Sequence, residues 1–242
     1  MNNEIKIAVL IDSDNIPAKY INHLMAEITK HGTPTVKRIY GDWTKPHIAK
    51  WKPELLSHAI APVQQYSYTN GKNATDSAMI IDAMDILYSD KVDGFCLVSS
   101  DSDFTRLATR LREAGKKVFG MGEKKTPNPF IVACDIFIYL EILENKEEKN
   151  LINGKVKKTK VDKITPKLLN LLSTTVSDVA DDDGWAFLGD VGSLLVKKQA
   201  DFDPRNYGFF KLTPLFNSIT QFEIDQRVKN SGKEKLIYVK NK

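Results

Sequence analysis

Two apolar runs in this chain end on carboxylates. Ile5-Lys6-Ile7-Ala8-Val9-Leu10-Ile11 stops at Asp12-Ser13-Asp14-Asn15, and Phe95-Cys96-Leu97-Val98 stops at Ser99-Ser100-Asp101-Ser102-Asp103. Near-continuous apolar runs of this length predict strands covered on both faces, as in a parallel sheet. Helical spacing follows each acidic turn: Tyr20, Ile21, Leu24 and Ile28 after the first, Phe104, Leu107, Ala108 and Leu111 after the second. The repeated order of strand, acidic turn and helix confines the chain to an α/β fold, because parallel neighbours need a crossover between them. It also puts the acids where such sheets bind ligands, outside the carboxyl ends of the strands.

The same alternation continues between and beyond these units. Val36 to Tyr40 reads as a strand, Trp43 to His58 contains a helix around Ile48, Trp51 and Leu55, and Ala61 to Tyr66 reads as a short strand. Thr69-Asn70-Gly71-Lys72-Asn73 has turn chemistry, after which Thr75 or Asp76 opens a helix over Ser77 to Tyr88. Gly115 ends the helix after Asp103, and Lys117 to Met121 is a further strand. Thr126-Pro127-Asn128-Pro129 opens a short helix, and Asp135 to Leu143 supplies a last strand or strand–helix. Residues 1–143 are therefore expected to form a doubly wound parallel sheet with right-handed crossovers. Residues 144–163 read as a charged linker whose second half is basic, with Lys155, Lys157, Lys158, Lys160 and Lys163. From residue 164 the pattern changes to three helices, Leu168–Val176, Leu188–Ala200 and Lys211–Ile219. A hairpin, Phe222–Val228 with Leu236–Val239, turns at Asn230-Ser231-Gly232. These elements predict a second, smaller winged-helix-like α+β domain over 164–242.

A chain of 242 residues that is 42% apolar can fill two such cores. No apolar stretch reaches the length of a membrane span, and Met1-Asn2-Asn3-Glu4 has no signal-peptide pattern, so a cytoplasmic protein is expected. Cys96 and Cys134 sit inside apolar runs and read as buried thiols rather than a disulfide or zinc site. The four histidines have no metal-like spacing with them, and Asp181-Asp182-Asp183 lacks the spacing of a calcium loop. Charge is uneven: residues 1–150 carry net −1 and residues 151–242 net +5, which points to a polyanionic partner for the second part.

Asp12, Asp76, Asp101 and Asp103 come from three junctions, and the expected topology can bring them to one sheet edge. Like charges so gathered require either a neutralised carboxyl or a bound cation. An all-oxygen set without histidine or cysteine suits Mg²⁺ or Mn²⁺, which assist hydrolysis at phosphorus. Asp12, Asp76, Asp101 and Asp103 are thus the candidate metal ligands, and with Asn15, placed to orient a carboxylate or a metal-bound water, the candidate catalytic set. Lys72, Ser99 and Ser100 are the candidate substrate-binding residues. Plainer roles compete: Ser100 or Asp101 as a helix cap, Lys72 as an exposed loop lysine, and Asp14 as a cap beside Pro17. Asp82 and Asp85 are expected on a solvated helix edge, Asp82 with a possible supporting role behind the acids.

Three segments in order, Ile11-Asp12-Ser13-Asp14-Asn15-Ile16, Lys72-Asn73-Ala74-Thr75-Asp76 and Ser99-Ser100-Asp101-Ser102-Asp103-Phe104, resemble the NYN domain family, LabA-like relatives of the PIN-like nucleases. The resemblance covers residues 5–143 and maps the family's acidic pattern onto Asp12, Asn15, Asp76, Asp101 and Asp103. Asn206-Tyr207-Gly208-Phe209-Phe210-Lys211-Leu212-Thr213-Pro214-Leu215 makes residues 164–240 similar to an OST-HTH (LOTUS) domain, with Phe210 where a basic residue is common. The resemblance implies a PIN-like fold, a metal-dependent ribonuclease activity and RNA as the partner of the smaller domain. Two alternatives are a non-catalytic RNA-binding regulator and a haloacid-dehalogenase-type phosphatase with Asp12 as nucleophile. A dinucleotide-binding protein is disfavoured, since no Gly-x-Gly-x-x-Gly follows the first strand. The residues set no oligomeric state.

Overall fold

Six parallel strands in the order β3-β2-β1-β4-β5-β6 form the sheet of the first unit. They are β1 (Lys6–Asp12), β2 (Thr33–Gly41), β3 (Ala61–Gln64), β4 (Gly94–Val98), β5 (Lys117–Gly122) and β6 (Ile136–Tyr139). The crossovers carry α1 (Ile21–Ile28), α2 (Lys52–His58), α3 (Ala74–Ser89), α4 (Thr105–Glu113) and α5 (Asn128–Ala133). The computed structural model describes residues 4–66, 74–143, 161–228 and 235–242. These fall into two units that divide between residues 155 and 156.

β1 shows why its sequence is continuously apolar. Ile7, Val9 and Ile11 pack with Ile21, Leu24 and Ile28 of α1, whereas Ala8 and Leu10 pack with Met79 and Ala83 of α3 and with Leu107 and Leu111 of α4. Successive side chains point to opposite faces of a strand, so a sheet clad on both faces needs apolar residues at every position. The PIN-like α/β class expected from the sequence is what forms. Strand order reverses between β1 and β4, which pair in register from Ile7↔Gly94 to Ile11↔Val98. That reversal opens a crevice at the carboxyl edge, where both acidic turns begin.

Helix boundaries follow local chemistry. α4 ends at Gly115, which adopts φ +77°, a left-handed conformation that glycine enters without penalty. The helix expected across Trp43–His58 is instead a 3-10 turn (Pro46–Trp51) followed by α2. Pro53 has no N–H to bond back to Ala49, so one α-helical ladder cannot run through both segments. Cys96 and Cys134 are buried free thiols, as expected, and burial raises the pKa of both.

The second unit contains α6 (Pro166–Val179), β7 (Ala186–Phe187), α7 (Leu188–Lys198), α8 (Leu212–Asn217), β8 (Phe222–Val228) and β9 (Lys235–Asn241). Thr165 caps α6 by accepting from the Leu168 N–H. The expected hairpin pairs β8 and β9 antiparallel, and β7, a strand not expected from the sequence, adds to the other side of β9. Leu172, Val176, Val191, Leu195, Leu215 and Phe216 close its core. Asp162, expected in the linker, donates its N–H to the Asn206 carbonyl and so belongs to this unit. The turn at Thr69–Asn73 with Lys72, the lysines of residues 155–160 and the turn at Asn230–Gly232 lie outside the described residues. Among the described residues no helix is long and apolar enough to cross a membrane.

Candidate metal centre

Asp12 is the last residue of β1, Ser99 to Asp103 follow β4 at once, and Asp76 lies in the first turn of α3. The structure brings one carboxylate oxygen each of Asp76, Asp101 and Asp103 within 4.8 Å of one another. Asp101 also caps the 3-10 turn Ser102–Phe104, accepting from the Asp103 N–H at 3.0 Å. The cap ties the Asp101 carboxylate to the backbone of Asp103, so capping and membership of the cluster are compatible roles for Asp101.

Asp12 falls outside that group of three. It is fully buried, and each of its oxygens accepts two hydrogen bonds. Oδ1 takes the N–H groups of Asp14 and Asn15 at 3.0 and 3.3 Å, and Oδ2 takes Asn15 Nδ2 at 2.7 Å and Ser99 Oγ at 2.8 Å. Asn15 therefore touches this carboxylate through both its backbone N–H and its side-chain amide. Four bonds match the acceptor capacity of an ionised carboxylate.

Ser99 and Ser100, the candidate substrate-binding residues, are buried. Ser99 Oγ accepts from the Asp101 N–H at 3.1 Å while donating to Asp12, so it links the end of β1 to the turn that carries the cluster. Ser100 Oγ accepts from the Glu123 N–H at 2.9 Å and ties in the loop after β5. The approach there is close: a Cβ on Gly122 would lie 2.5 Å from the Ser99 carbonyl oxygen and 2.6 Å from Thr126 Oγ1. Asp14 is not a cap. Its Oδ2 accepts from Thr75 Oγ1 at 3.1 Å, which fastens the β1 loop to the residue before Asp76, and Pro17 occupies the cap position.

The charges act on one another. Asp76 titrates at about 7 instead of its ordinary 3.8, raised first by burial and then by the charges of Asp12, Asp101, Asp103 and Asp14. Burial also raises Asp12, opposed by the bonds from Asn15 and Ser99. A small divalent cation fits this donor set. Oxygens of an octahedral Mg²⁺ shell lie about 3–4 Å apart, near the spacing present here, and carboxylates suit a hard ion.

The partners of Asp82 were not visible in the sequence. Asp82, six residues after Asp76 on α3, accepts from Arg38 and from the Tyr40 hydroxyl of β2. It is not a solvated edge residue, whereas Asp85 is exposed as expected. The available signal was Arg38 two residues before Tyr40 on one face of β2.

Comparison with known proteins gives the following. Residues 159–233 match the OST-HTH/LOTUS domain. A crystal structure of a protein of unknown function from Vibrio parahaemolyticus is 23% identical with a TM-score of 0.48, covering 57% of this chain and 93% of that one. A solution structure of an uncharacterized protein from Nitrosomonas europaea is 28% identical with a TM-score of 0.31, covering 38% and 90%. No curated protein matches the chain. Residues 6–141, from β1 to the turn after β6, match the NYN domain, and the chain belongs to the NYN domain family.

Proposed function

We propose that this chain is a metal-dependent ribonuclease that hydrolyses RNA phosphodiester bonds in its first unit and binds RNA with its second. The observation that carries the reading is the convergence of the Asp76, Asp101 and Asp103 oxygens within 4.8 Å at the strand-order reversal of an NYN domain. In this reading those three residues hold Mg²⁺ or Mn²⁺. When bound, the ion supplies activation of water and charge stabilisation for in-line displacement at phosphorus.

The chain's own residues set the stage for that chemistry. The Asp101 carboxylate is held by the Asp103 N–H, and the Asp101 backbone is linked through Ser99 to Asp12. Asn15 keeps the Asp12 carboxylate turned toward Ser99, and the Asp12 charge helps raise the pKa of Asp76. Asp76 holds its proton until near neutral pH and gives it up as a cation takes its place. Lys72, just before α3, is proposed to neutralise a phosphate of the bound strand.

The test is cleavage of single-stranded and structured RNA by the full chain. Activity is expected with Mn²⁺ or Mg²⁺, abolished by EDTA and lowered at least ~100-fold by Asp101→Asn, in line with loss of charge placement at an active site. Cleavage indifferent to EDTA and to the substitution overturns the reading. RNA binding without any turnover makes the chain a non-catalytic regulator.

A further inference from the structure

An antiparallel sheet with one face on a core ordinarily turns polar side chains outward. The three-stranded sheet of the second unit departs from that pattern. Ala186, Phe222, Ile224, Ile237 and Val239 face the core. The alternate positions carry Phe187, Leu236 and Tyr238 beside the charged Glu223, Asp225, Arg227 and Lys240, and Trp185, just before β7, falls on the same side. Trp185, Phe187 and Tyr238 are all partly exposed. The rings of Phe187 and Tyr238 lie 5.8 Å apart.

Two cations lie over these rings. Arg227 Cζ is 4.2 Å from the Tyr238 centroid and 5.4 Å from that of Trp185, and Lys240 Nζ is 6.0 Å from Trp185. Asp225 accepts from Arg227 Nε at 2.9 Å and holds the guanidinium in place, while Glu223 stands opposite Lys240 across the strand pair. The core uses none of these side chains. An outward aromatic patch of this kind marks a binding surface.

We propose that this face binds single-stranded RNA by stacking unpaired bases on Trp185, Phe187 and Tyr238, with Arg227 and Lys240 meeting the phosphates. The inference rests on the reading of the second unit as RNA-binding and assigns it a surface and a strand preference. Base faces stack on aromatic rings and on guanidinium planes alike. A purely apolar partner would not use cations over the rings. A duplex hides the base faces, so the unpaired strand is the ligand.

The experiment measures fluorescence anisotropy of a labelled oligoadenylate with the full chain in EDTA, beside the same strand in a duplex. Trp185→Ala and Tyr238→Leu are each expected to weaken single-strand binding roughly 5- to 150-fold. Trp185→Phe keeps a ring and stays close to wild type, which guards against a folding artefact of the alanine variant. Arg227→Gln reduces the slope of log affinity against log salt by about 0.7. Wild-type binding of oligoadenylate that all four variants retain overturns the proposal and leaves RNA binding by the chain intact. Equal affinity for the duplex overturns it as well. A wild-type chain that binds no RNA removes both readings. Self-association lost in Trp185→Ala, without RNA binding, makes the face a contact between copies and overturns the proposal.

Discussion

Asp76→Asn should stabilise the metal-free protein while removing its response to metal. The repulsion is set by geometry. Two unit charges 4.8 Å apart repel by about 1 kcal/mol at the dielectric of water and by about 3.5 kcal/mol at an effective value near 20. Asp76 faces two such neighbours, and because it is only half-buried the lower end applies, giving a relief of roughly 2 kcal/mol. That corresponds to a melting temperature higher by roughly 4–8 °C. The sign follows from the pKa. A carboxyl that titrates at about 7 in the fold and at 3.8 unfolded carries its full penalty above pH 7 and sheds it as pH falls toward 4. In EDTA, thermal unfolding should therefore favour Asp76→Asn at pH 8 and show no difference near pH 4. Saturating Mg²⁺ at pH 8 should raise the wild-type midpoint, by about 2.7 kcal/mol at a hundredfold excess over Kd, and leave the variant unmoved. A variant that melts at or below wild type at pH 8, or an advantage independent of pH, refutes the reasoning.

Other substitutions probe the scaffold around the cluster. Ser99→Ala removes the hydroxyl between Asp12 and Asp101 and leaves the Asp101 N–H without it; unfolding in urea should show a loss of about 1–3 kcal/mol, with slower RNA cleavage. Gly122→Ala forces β5 away from the Ser99 carbonyl, and the same assays should show a loss of about 1–3 kcal/mol with a normal far-UV spectrum. Tyr40→Phe takes a hydroxyl from Asp82; unfolding in urea should show a loss of about 1–2 kcal/mol, with a lower midpoint at unchanged slope because the native compactness is kept.

The fold was legible where the sheet is covered on both faces. β1 and β4 announce themselves because Ile7 to Ile11 and Phe95 to Val98 are apolar at every position, and the acids that follow announce the carboxyl edge. The division of labour among those acids was not legible. Asp12 and Asp101 both end apolar runs, but Asp12 is enclosed by Asn15 and Ser99, whereas Asp101 is held by a cap at the rim. That difference depends on β1 and β4 being neighbours, which no local pattern encodes. The same holds for Asp82, whose partners Arg38 and Tyr40 are more than forty residues away in sequence. β7 escaped notice because two residues are too few to show alternation, and with it went the outward aromatic face of the second sheet.

The central claim is that Asp76, Asp101 and Asp103 together hold a divalent cation. Anomalous scattering from a crystal of the protein equilibrated with Mn²⁺ measures this directly. The account predicts a peak bounded by those three carboxylates and lost in Asp101→Asn. Saturating Mn²⁺ that leaves the three carboxylates without a peak, or a peak that persists in the variant, contradicts it.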